Sequence, residues 1–262
     1  MNLTSILFGL FLWFTVILVN FFKHGRFKYK KFKFSLNNYY LLMSPFVAAV
    51  LFYAASVKSF KPIAAFMIFA IAGVVGETIT DIWWQSFFGQ RLWVYNVKTL
   101  YHRYTSWLNF IPWAVGGTLY TVIANIVVDY DYPGFELFFL VFMSALVVMQ
   151  LFLFRLFKPT ANFKFHNISM LSVVVFYCPI IFIIVFMAWL YGSQIYELAL
   201  WFALIPTIAE YLFGKATQFF ISKKLWDYTY LSVDRGHFTP LSVPLFCLGG
   251  FYFWVIIRLF GL

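Results

Sequence analysis

Two glutamates, Glu77 and Glu210, lie inside apolar stretches that are long enough to cross a bilayer, 133 residues apart (210 − 77). Inserting a carboxylate into hydrocarbon costs roughly 2.5–3.5 kcal/mol, so intramembrane acids commonly mark ion, proton or substrate sites. Each glutamate opens the same ungapped pattern, in which Gln85, Trp93, Tyr95, Gly116 and Gly117 recur as Gln218, Trp226, Tyr228, Gly249 and Gly250. This recurrence predicts an intramembrane site that is built twice.

Further polar residues follow each glutamate at helical spacing. Asp81 and Gln85 stand four and eight residues after Glu77, which places all three on one helix face. In the second copy Gly214 replaces Asp81, and Lys215 follows it. Lys215 could pair with the acids or extend toward the membrane interface, and the polar groups could instead only tie helices together. The candidate substrate-binding residues are Glu77, Asp81, Gln85, Glu210, Lys215 and Gln218.

A short aromatic motif follows each polar face. Tryptophan and tyrosine commonly mark the headgroup layer of a membrane, but the repetition also makes this loop part of the candidate site. Each loop leads to an apolar span with a glycine pair, where helices could approach closely or a ligand could reach the backbone. The loop residues are Trp93, Tyr95, Trp226, Asp227 and Tyr228, and the glycines are Gly116, Gly117, Gly249 and Gly250.

The composition is that of a membrane protein. Of the 262 residues, 63% are hydrophobic and 11% are charged, and the mean hydropathy is +0.85. The net charge of +10 is explained by loop lysines and arginines beside an anionic leaflet, so we expect the lipid bilayer and not nucleic acid as partner. No metal-ligand spacing or phosphate-binding loop occurs, so we expect no metal and no cofactor, and an ATPase would be a separate subunit.

The predicted fold is all-α, a polytopic transmembrane bundle of about eight spans. Lysines and arginines are concentrated in the odd-numbered connections, which places those loops in the cytoplasm and both termini outside the plasma or inner membrane. Residues 1–133 and 134–262 form two four-span repeats in one integrated membrane domain, and an even number of spans keeps the repeats parallel. The spans are predicted at 3–22, 39–56, 62–87, 110–128, 135–157, 168–191, 196–220 and 240–260.

Two families resemble parts of this chain. The stretch with Glu210, Gly214, Gln218 and the Leu225–Tyr228 turn resembles the bacterial type IV ABC-transporter permease family, which implies a permease with a separate ATPase or other membrane subunits. The loop around Trp93 and the following proline more faintly resemble the small bacterial and archaeal lycopene cyclases. That second resemblance implies a membrane enzyme acting on an isoprenoid, although the paired glutamates that follow the proline in those enzymes are absent here.

Three functions remain open from the sequence. The first is a permease-like protein with a two-fold acidic site for a polar or amphipathic substrate, in which Glu77 and Glu210 face the pseudo-two-fold axis. The second is a membrane-embedded enzyme that acts on an isoprenoid or other lipid, with an acid as proton donor. The third is a structural or assembly subunit whose polar groups hold helices together.

Overall fold

Seven helices lie within the part of the chain that the structure, a computed structural model, describes: residues 36–128, 132–157, 164–165, 168–221 and 223–261. Six of them are long and apolar enough to cross a membrane, and α1 contains a shorter apolar segment. The chain is a multi-pass helical membrane protein. The helices are α1 (Leu36–Ser56), α2 (Lys61–Phe88), α3 (Phe110–Val127), α4 (Phe135–Phe157), α5 (Met170–Tyr191), α6 (Ser193–Ile221) and α7 (Val243–Phe260).

The helices follow the predicted spans closely, although several ends differ by a few residues. The span predicted at 3–22 lies outside the described residues. The sixth predicted span starts at Ile168, but Ile168–Ser169 pairs as strand β5 with β4 (Lys164–Phe165), so α5 begins at Met170. The next helix, α6, begins three residues before its predicted start because Gly192, at a φ of +99°, makes the reversal after α5 in a single residue.

The 133-residue offset also relates element bounds. Helix α3 begins at 110 and ends at 127, and α7 begins at 243 and ends at 260, which is the same range displaced by 133. A short 3₁₀ turn precedes each of them, Trp107–Asn109 before α3 and Pro240–Ser242 before α7. Helices α2 and α6 end at 88 and 221, again 133 residues apart. The sequence match is therefore accompanied by matching local structure.

A two-stranded antiparallel ribbon joins the two copies. Strand β1 (Trp93–Tyr95) pairs with β6 (Trp226–Tyr228), and the central partners are Val94 and Asp227. In both strands the outer aromatic residues are buried and the central residue is less so, because successive side chains of a strand point to opposite faces. The Trp-x-Tyr spacing therefore directs four aromatic side chains into the protein. The other short strands, β2 (Thr99–Leu100) and β3 (Thr105–Ser106), pair with each other.

The second glycine of each pair makes room for an aromatic ring. A Cβ at Gly117 would lie 2.5 Å from the Phe69 ring, and one at Gly250 would lie 2.2 Å from the Phe202 ring. These phenylalanines are themselves 133 residues apart and occupy α2 and α6. Each phenylalanine also makes an edge-to-face contact with a ring of the other motif copy. The centroid distance is 5.3 Å between Phe202 and Tyr120 and 5.7 Å between Phe69 and Phe253.

Tyr120 and Phe253 stack on each other where α3 meets α7. Their ring centroids are 5.5 Å apart and their planes are inclined by 16°. The Tyr120 hydroxyl also donates to the Phe246 carbonyl on α7, at 3.0 Å. Since the two rings occupy equivalent positions of the repeated pattern, this stack fixes how the two copies face each other. The cavity described next lies beside it.

Candidate functional site

A cavity of about 350 Å³ lies between the two copies. Glu77 of α2 and Glu210 of α6 both line it, so the structure brings together the two acids that the sequence singled out. Tyr95, Asn109 and the Trp113 indole add polar groups to the wall. The remaining described lining is mainly apolar and aromatic: Leu42, Met43, Phe46, Pro112, Val115, Gly116, Leu119, Tyr120, Pro206, Ala209, Leu212, Phe213, Ala216, Trp226 and Phe246.

Glu77 is surrounded by hydrogen-bond donors. The Tyr95 hydroxyl donates to Oε1, and the Thr105 hydroxyl donates to Oε2 at 2.5 Å. The Asn109 amide donates to both oxygens, at 3.1 and 2.9 Å, and the Trp113 indole N–H donates to Oε2 at 3.1 Å. Glu77 is only 8% exposed. Its acceptor sites are therefore satisfied by the protein itself.

Local structure brings these donors to Glu77. Tyr95 ends β1, and Thr105 begins β3, so the ribbon and the small β2–β3 pair deliver one hydroxyl each. Asn109 ends the 3₁₀ turn before α3, and Trp113 stands four residues later, one helical turn farther along the same face. Asn109 also donates to the Tyr95 oxygen at 2.5 Å, which orients the phenol toward the carboxylate.

Glu210 has a much simpler environment. Among the described residues its only hydrogen-bond donor is the Tyr228 hydroxyl, at 2.8 Å from each carboxylate oxygen. The positions that correspond to Thr105, Asn109 and Trp113 at the 133-residue offset hold Phe238, Ser242 and Phe246. Two of these side chains have no donor at all. Glu210 therefore keeps acceptor capacity that a ligand in the cavity could use.

Tyr95 and Tyr228 act as hydrogen-bond donors to the two acids. Both lie in the ribbon outside the helices, and burial raises the pKa of each phenol well above its ordinary value. The glutamate beside each tyrosine raises the pKa further, because a phenolate there would meet a carboxylate. Both phenols therefore remain protonated at neutral pH and donate their hydrogen to the carboxylates.

The other residues of the predicted polar face do not line the cavity. The Asp81 side chain is fully buried, and its Oδ1 accepts from the Leu92 amide at 3.2 Å, while Oδ2 has no hydrogen-bond partner within the described chain. Gln85 accepts from the Tyr104 hydroxyl at 2.8 Å. Steps of four and eight residues advance about 6 and 12 Å along a helix, which carries these side chains from the cavity toward the loops.

Lys215 and Gln218 also contact loop residues. The Lys215 ammonium pairs with Asp234 and lies 5.7 Å from the centroid of the Tyr211 ring. Hydrogen bonds from Lys215 and Tyr211 hold the pKa of Asp234 below its ordinary value. The His237 ring lies 2.6 Å from the Gln218 amide oxygen, in a contact equivalent to that between Tyr104 and Gln85. Neither Lys215 nor Gln218 reaches the cavity.

The loop motif contributes to the cavity unequally. Tyr95 and Trp226 line it, and Tyr228 reaches it through Glu210. Trp93 donates its indole N–H to the Tyr104 carbonyl at 3.4 Å. Asp227 faces away from the ribbon's buried side, where it accepts from the Asn96 amide at 2.5 Å and pairs with the Lys224 ammonium. Asp227 is therefore a residue of the loop and not of the cavity.

Thr105, Asn109 and Trp113 are site residues that the sequence pattern alone does not reveal. One signal could have found Asn109, since it is a polar residue at the start of an apolar span and its counterpart Ser242 is polar too. Thr105 and Trp113 have phenylalanine counterparts, so the repeat itself gives no indication of them. Of the predicted glycines, Gly116 lines the cavity, and Gly249 lies beside it, with space for a Cβ 3.6 Å from the Tyr120 hydroxyl.

The chain has no match among family models, curated proteins or solved structures. Within the described residues, no group of three or more His, Cys, Asp or Glu side chains is arranged to hold a metal ion. Its function is therefore inferred from the geometry and chemistry of the cavity.

Proposed function

We propose that this chain is a permease-like integral membrane protein that binds an amphipathic substrate in the cavity between its two halves. One observation carries the proposal: the two repeated intramembrane acids, Glu77 and Glu210, line the same cavity. Carboxylates at membrane depth are costly, so two that meet at one ligand-sized cavity favour a functional site over a purely structural one.

The proposal includes the architecture predicted from the sequence. Two parallel four-span halves, residues 1–133 and 134–262, enclose the cavity about an axis along the membrane normal, and both termini lie outside the plasma or inner membrane. Matching element bounds and the symmetric register of the β1–β6 ribbon support the two halves. The basic connections support the orientation. In a background without Cys178 and Cys247, Lys98→Cys and Lys223→Cys should resist an impermeant thiol reagent in intact cells.

The cavity wall favours an amphipathic substrate. Most described lining residues are apolar or aromatic, and the polar groups are concentrated around Glu77 and Glu210. Leu212 lines the cavity and is 57% exposed, and Ile208, one helical turn earlier on α6, forms an exposed surface with it. Since that surface faces hydrocarbon in a membrane, a substrate that reaches the cavity past Leu212 would come from the bilayer. A separate ATPase or other membrane subunit would supply the energy for transport.

A second candidate function is a membrane-embedded enzyme that acts on an isoprenoid or other lipid, as the fainter resemblance implies. The pair of Glu210 and Tyr228 favours it, because a carboxyl group hydrogen-bonded to a phenol beside an apolar cavity could protonate a bound lipid. Aromatic rings such as Tyr120, Phe213 and Trp226 would stabilise positive charge on such a lipid.

Lipid extracts and uptake measurements would separate these functions. Cells with the wild-type chain, without it, and with Ala209→Trp would be compared, since a tryptophan at Ala209 projects bulk into the cavity. If the chain is a permease, lipids stay the same and uptake of an amphipathic compound is lost without the chain and with Ala209→Trp. If it is an enzyme, a lipid species appears or disappears with the wild-type chain only.

The control is Ala64→Trp, which adds the same bulk at an exposed position of α2 away from the cavity. It should behave like wild type in both measurements. Removal of the chain could instead leave lipids and uptake unchanged while the amount of an associated membrane complex falls. That result would identify a structural subunit, and the permease proposal would be wrong.

A further inference from the structure

We infer that the substrate carries a positively charged head, such as a protonated amine, and that this head binds Glu210 while an apolar chain fills the rest of the cavity. This inference rests on the proposed function and names the class of substrate. The positively charged head contacts Glu210 directly, and Glu77 does not bind it.

The charges around the cavity favour a cation. Its described lining contains two carboxylic acids and no lysine, arginine or histidine. Lys215, the basic residue nearest to Glu210 in sequence, pairs with Asp234 outside the cavity. An anionic head would therefore approach two acids in a medium of low dielectric constant without a counter-charge, whereas a cationic head would gain one.

Hydrogen bonding distinguishes the two acids. A carboxylate offers about four acceptor sites, and Glu77 already accepts from Tyr95, Thr105, Asn109 and Trp113. Glu210 accepts a single phenolic hydrogen, which is shared between its two oxygens. A primary ammonium carries three N–H donors and would fill the vacant sites on Glu210.

The aromatic side chains of the cavity wall also favour a positively charged head. Trp226, Phe213 and Phe246 line the same cavity as Glu210, and Trp226 and Phe213 stack on each other with ring centroids 6.1 Å apart. Aromatic faces attract ammonium groups within about 6 Å of the ring centre. Leucine, proline, valine and methionine side chains complete the wall and would receive the apolar chain.

The test uses three probes with the same eight-carbon chain: octylammonium, octanol and octanoate. The full chain is placed in nanodiscs of zwitterionic lipid, and its thermal unfolding is followed at pH 7 while each probe is titrated. A ligand that binds only the folded protein raises the unfolding temperature in proportion to its occupancy. We expect octylammonium to act at concentrations at least about tenfold lower than octanol, and octanoate to give no stabilisation.

Three variants test whether Glu210 is the residue that binds the ammonium head. Glu210→Gln should reduce the effect of octylammonium to that of octanol. Glu197→Gln removes an equal charge from an exposed site on the same helix and should keep the wild-type preference. Glu77→Gln should also keep the preference, whatever its own unfolding temperature. If Glu210→Gln does not fold, Phe246→Trp replaces it, since an added indole beside Glu210 should weaken octylammonium binding.

The outcomes separate this inference from the proposed function. Equal stabilisation by all three probes would overturn the cationic head, and so would a preference for octylammonium that survives Glu210→Gln. The proposed function would stand in both cases, provided that Ala209→Trp abolishes uptake in cells. If no probe stabilises the protein and Ala209→Trp leaves uptake and lipids unchanged, both the inference and the proposed function fail.

Discussion

The two matching sequence motifs hold the same acid in opposite settings. Glu77 accepts hydrogen bonds from four side chains and is almost completely buried. Glu210, at the equivalent position, accepts only from Tyr228 among the described residues and keeps part of its surface free. The scaffold around them is alike, since helix ends, glycine–phenylalanine contacts and ribbon register all match. The difference shows that matching local frameworks can hold one acid whose acceptor sites are filled, the closed site at Glu77, and one whose acceptor sites are partly vacant, the open site at Glu210.

Three substitutions between the halves account for that difference. Thr105, Asn109 and Trp113 donate to Glu77, whereas their counterparts Phe238, Ser242 and Phe246 leave Glu210 with its tyrosine alone. Ser242 instead donates its hydroxyl to the Thr239 carbonyl at 2.8 Å, so it supports the turn before α7 and not the acid. The first half thus uses its polar groups to hold a structure, and the second half leaves its acid available to the cavity.

Replacing each glutamate by leucine should have the most unequal effect. Glu77→Leu leaves the Tyr95 and Thr105 hydroxyls and the Trp113 indole without their acceptor, so we expect a loss of about 3–5 kcal/mol in the free energy of unfolding. Glu210→Leu should lose only about 1–2 kcal/mol, because Tyr228 is the single described donor that loses its acceptor. Unfolding in detergent at several denaturant concentrations measures both. Equal losses would contradict the distinction between a closed and an open site.

Adding a methyl group to the glycines tests whether the two halves really pack alike. Gly117→Ala and Gly250→Ala each force a Cβ into a phenylalanine ring and should both lower the free energy of unfolding by about 1–3 kcal/mol. The matched controls are Gly116→Ala and Gly249→Ala, whose Cβ atoms meet nothing closer than 3.6 Å. They should leave stability unchanged or slightly raised in the same unfolding assay. A large effect in one half only would show that the repeat does not extend to packing.

Grafting a donor should make the open site resemble the closed one. Phe246→Trp places an indole at the position equivalent to Trp113, and a hydrogen bond to Glu210 should raise the free energy of unfolding by about 0.5–1.5 kcal/mol. The same substitution in a Glu210→Leu background should give no such gain, and the double-mutant cycle isolates the new bond. A gain that persists without the carboxylate would come from packing and not from the donor.

The smallest effect concerns His237, whose counterpart 133 residues earlier is Tyr104. Burial lowers the pKa of His237, and the Lys224 ammonium lowers it further. The unfolded chain therefore takes up this proton at a higher pH than the folded one, so stability is complete above about pH 6.5 and falls as the pH decreases toward the folded pKa.

His237→Gln should remove that part of the pH dependence. Thermal unfolding at a series of pH values from 8 to 5 measures it. At pH 8 the variant and the wild type should differ by a constant offset alone. An unchanged slope below pH 6.5 in the variant would mean that another group titrates there.

The membrane class, the approximate helix positions and the two candidate acids can all be predicted from the sequence. Long apolar runs have few alternatives to a helix in a bilayer, because every backbone polar group must be hydrogen-bonded within the segment. For that reason six predicted spans reappear as long apolar helices, with ends that shift by a few residues. Since a carboxylate in hydrocarbon is costly, the apolar runs around Glu77 and Glu210 are enough to mark both acids as candidate site residues.

Which polar residues contact each other depends on the packing of segments that are distant in the sequence. Helical spacing placed Asp81 and Gln85 beside Glu77, but both side chains bond to loop residues, and Asp234 holds Lys215 away from the cavity. Thr105 and Asn109 come from a short strand and a 3₁₀ turn, whose positions depend on contacts between distant segments and not on a local pattern. The closed site at Glu77 and the open site at Glu210 follow from those contacts, because hydrogen bonds act only over the distances that packing sets.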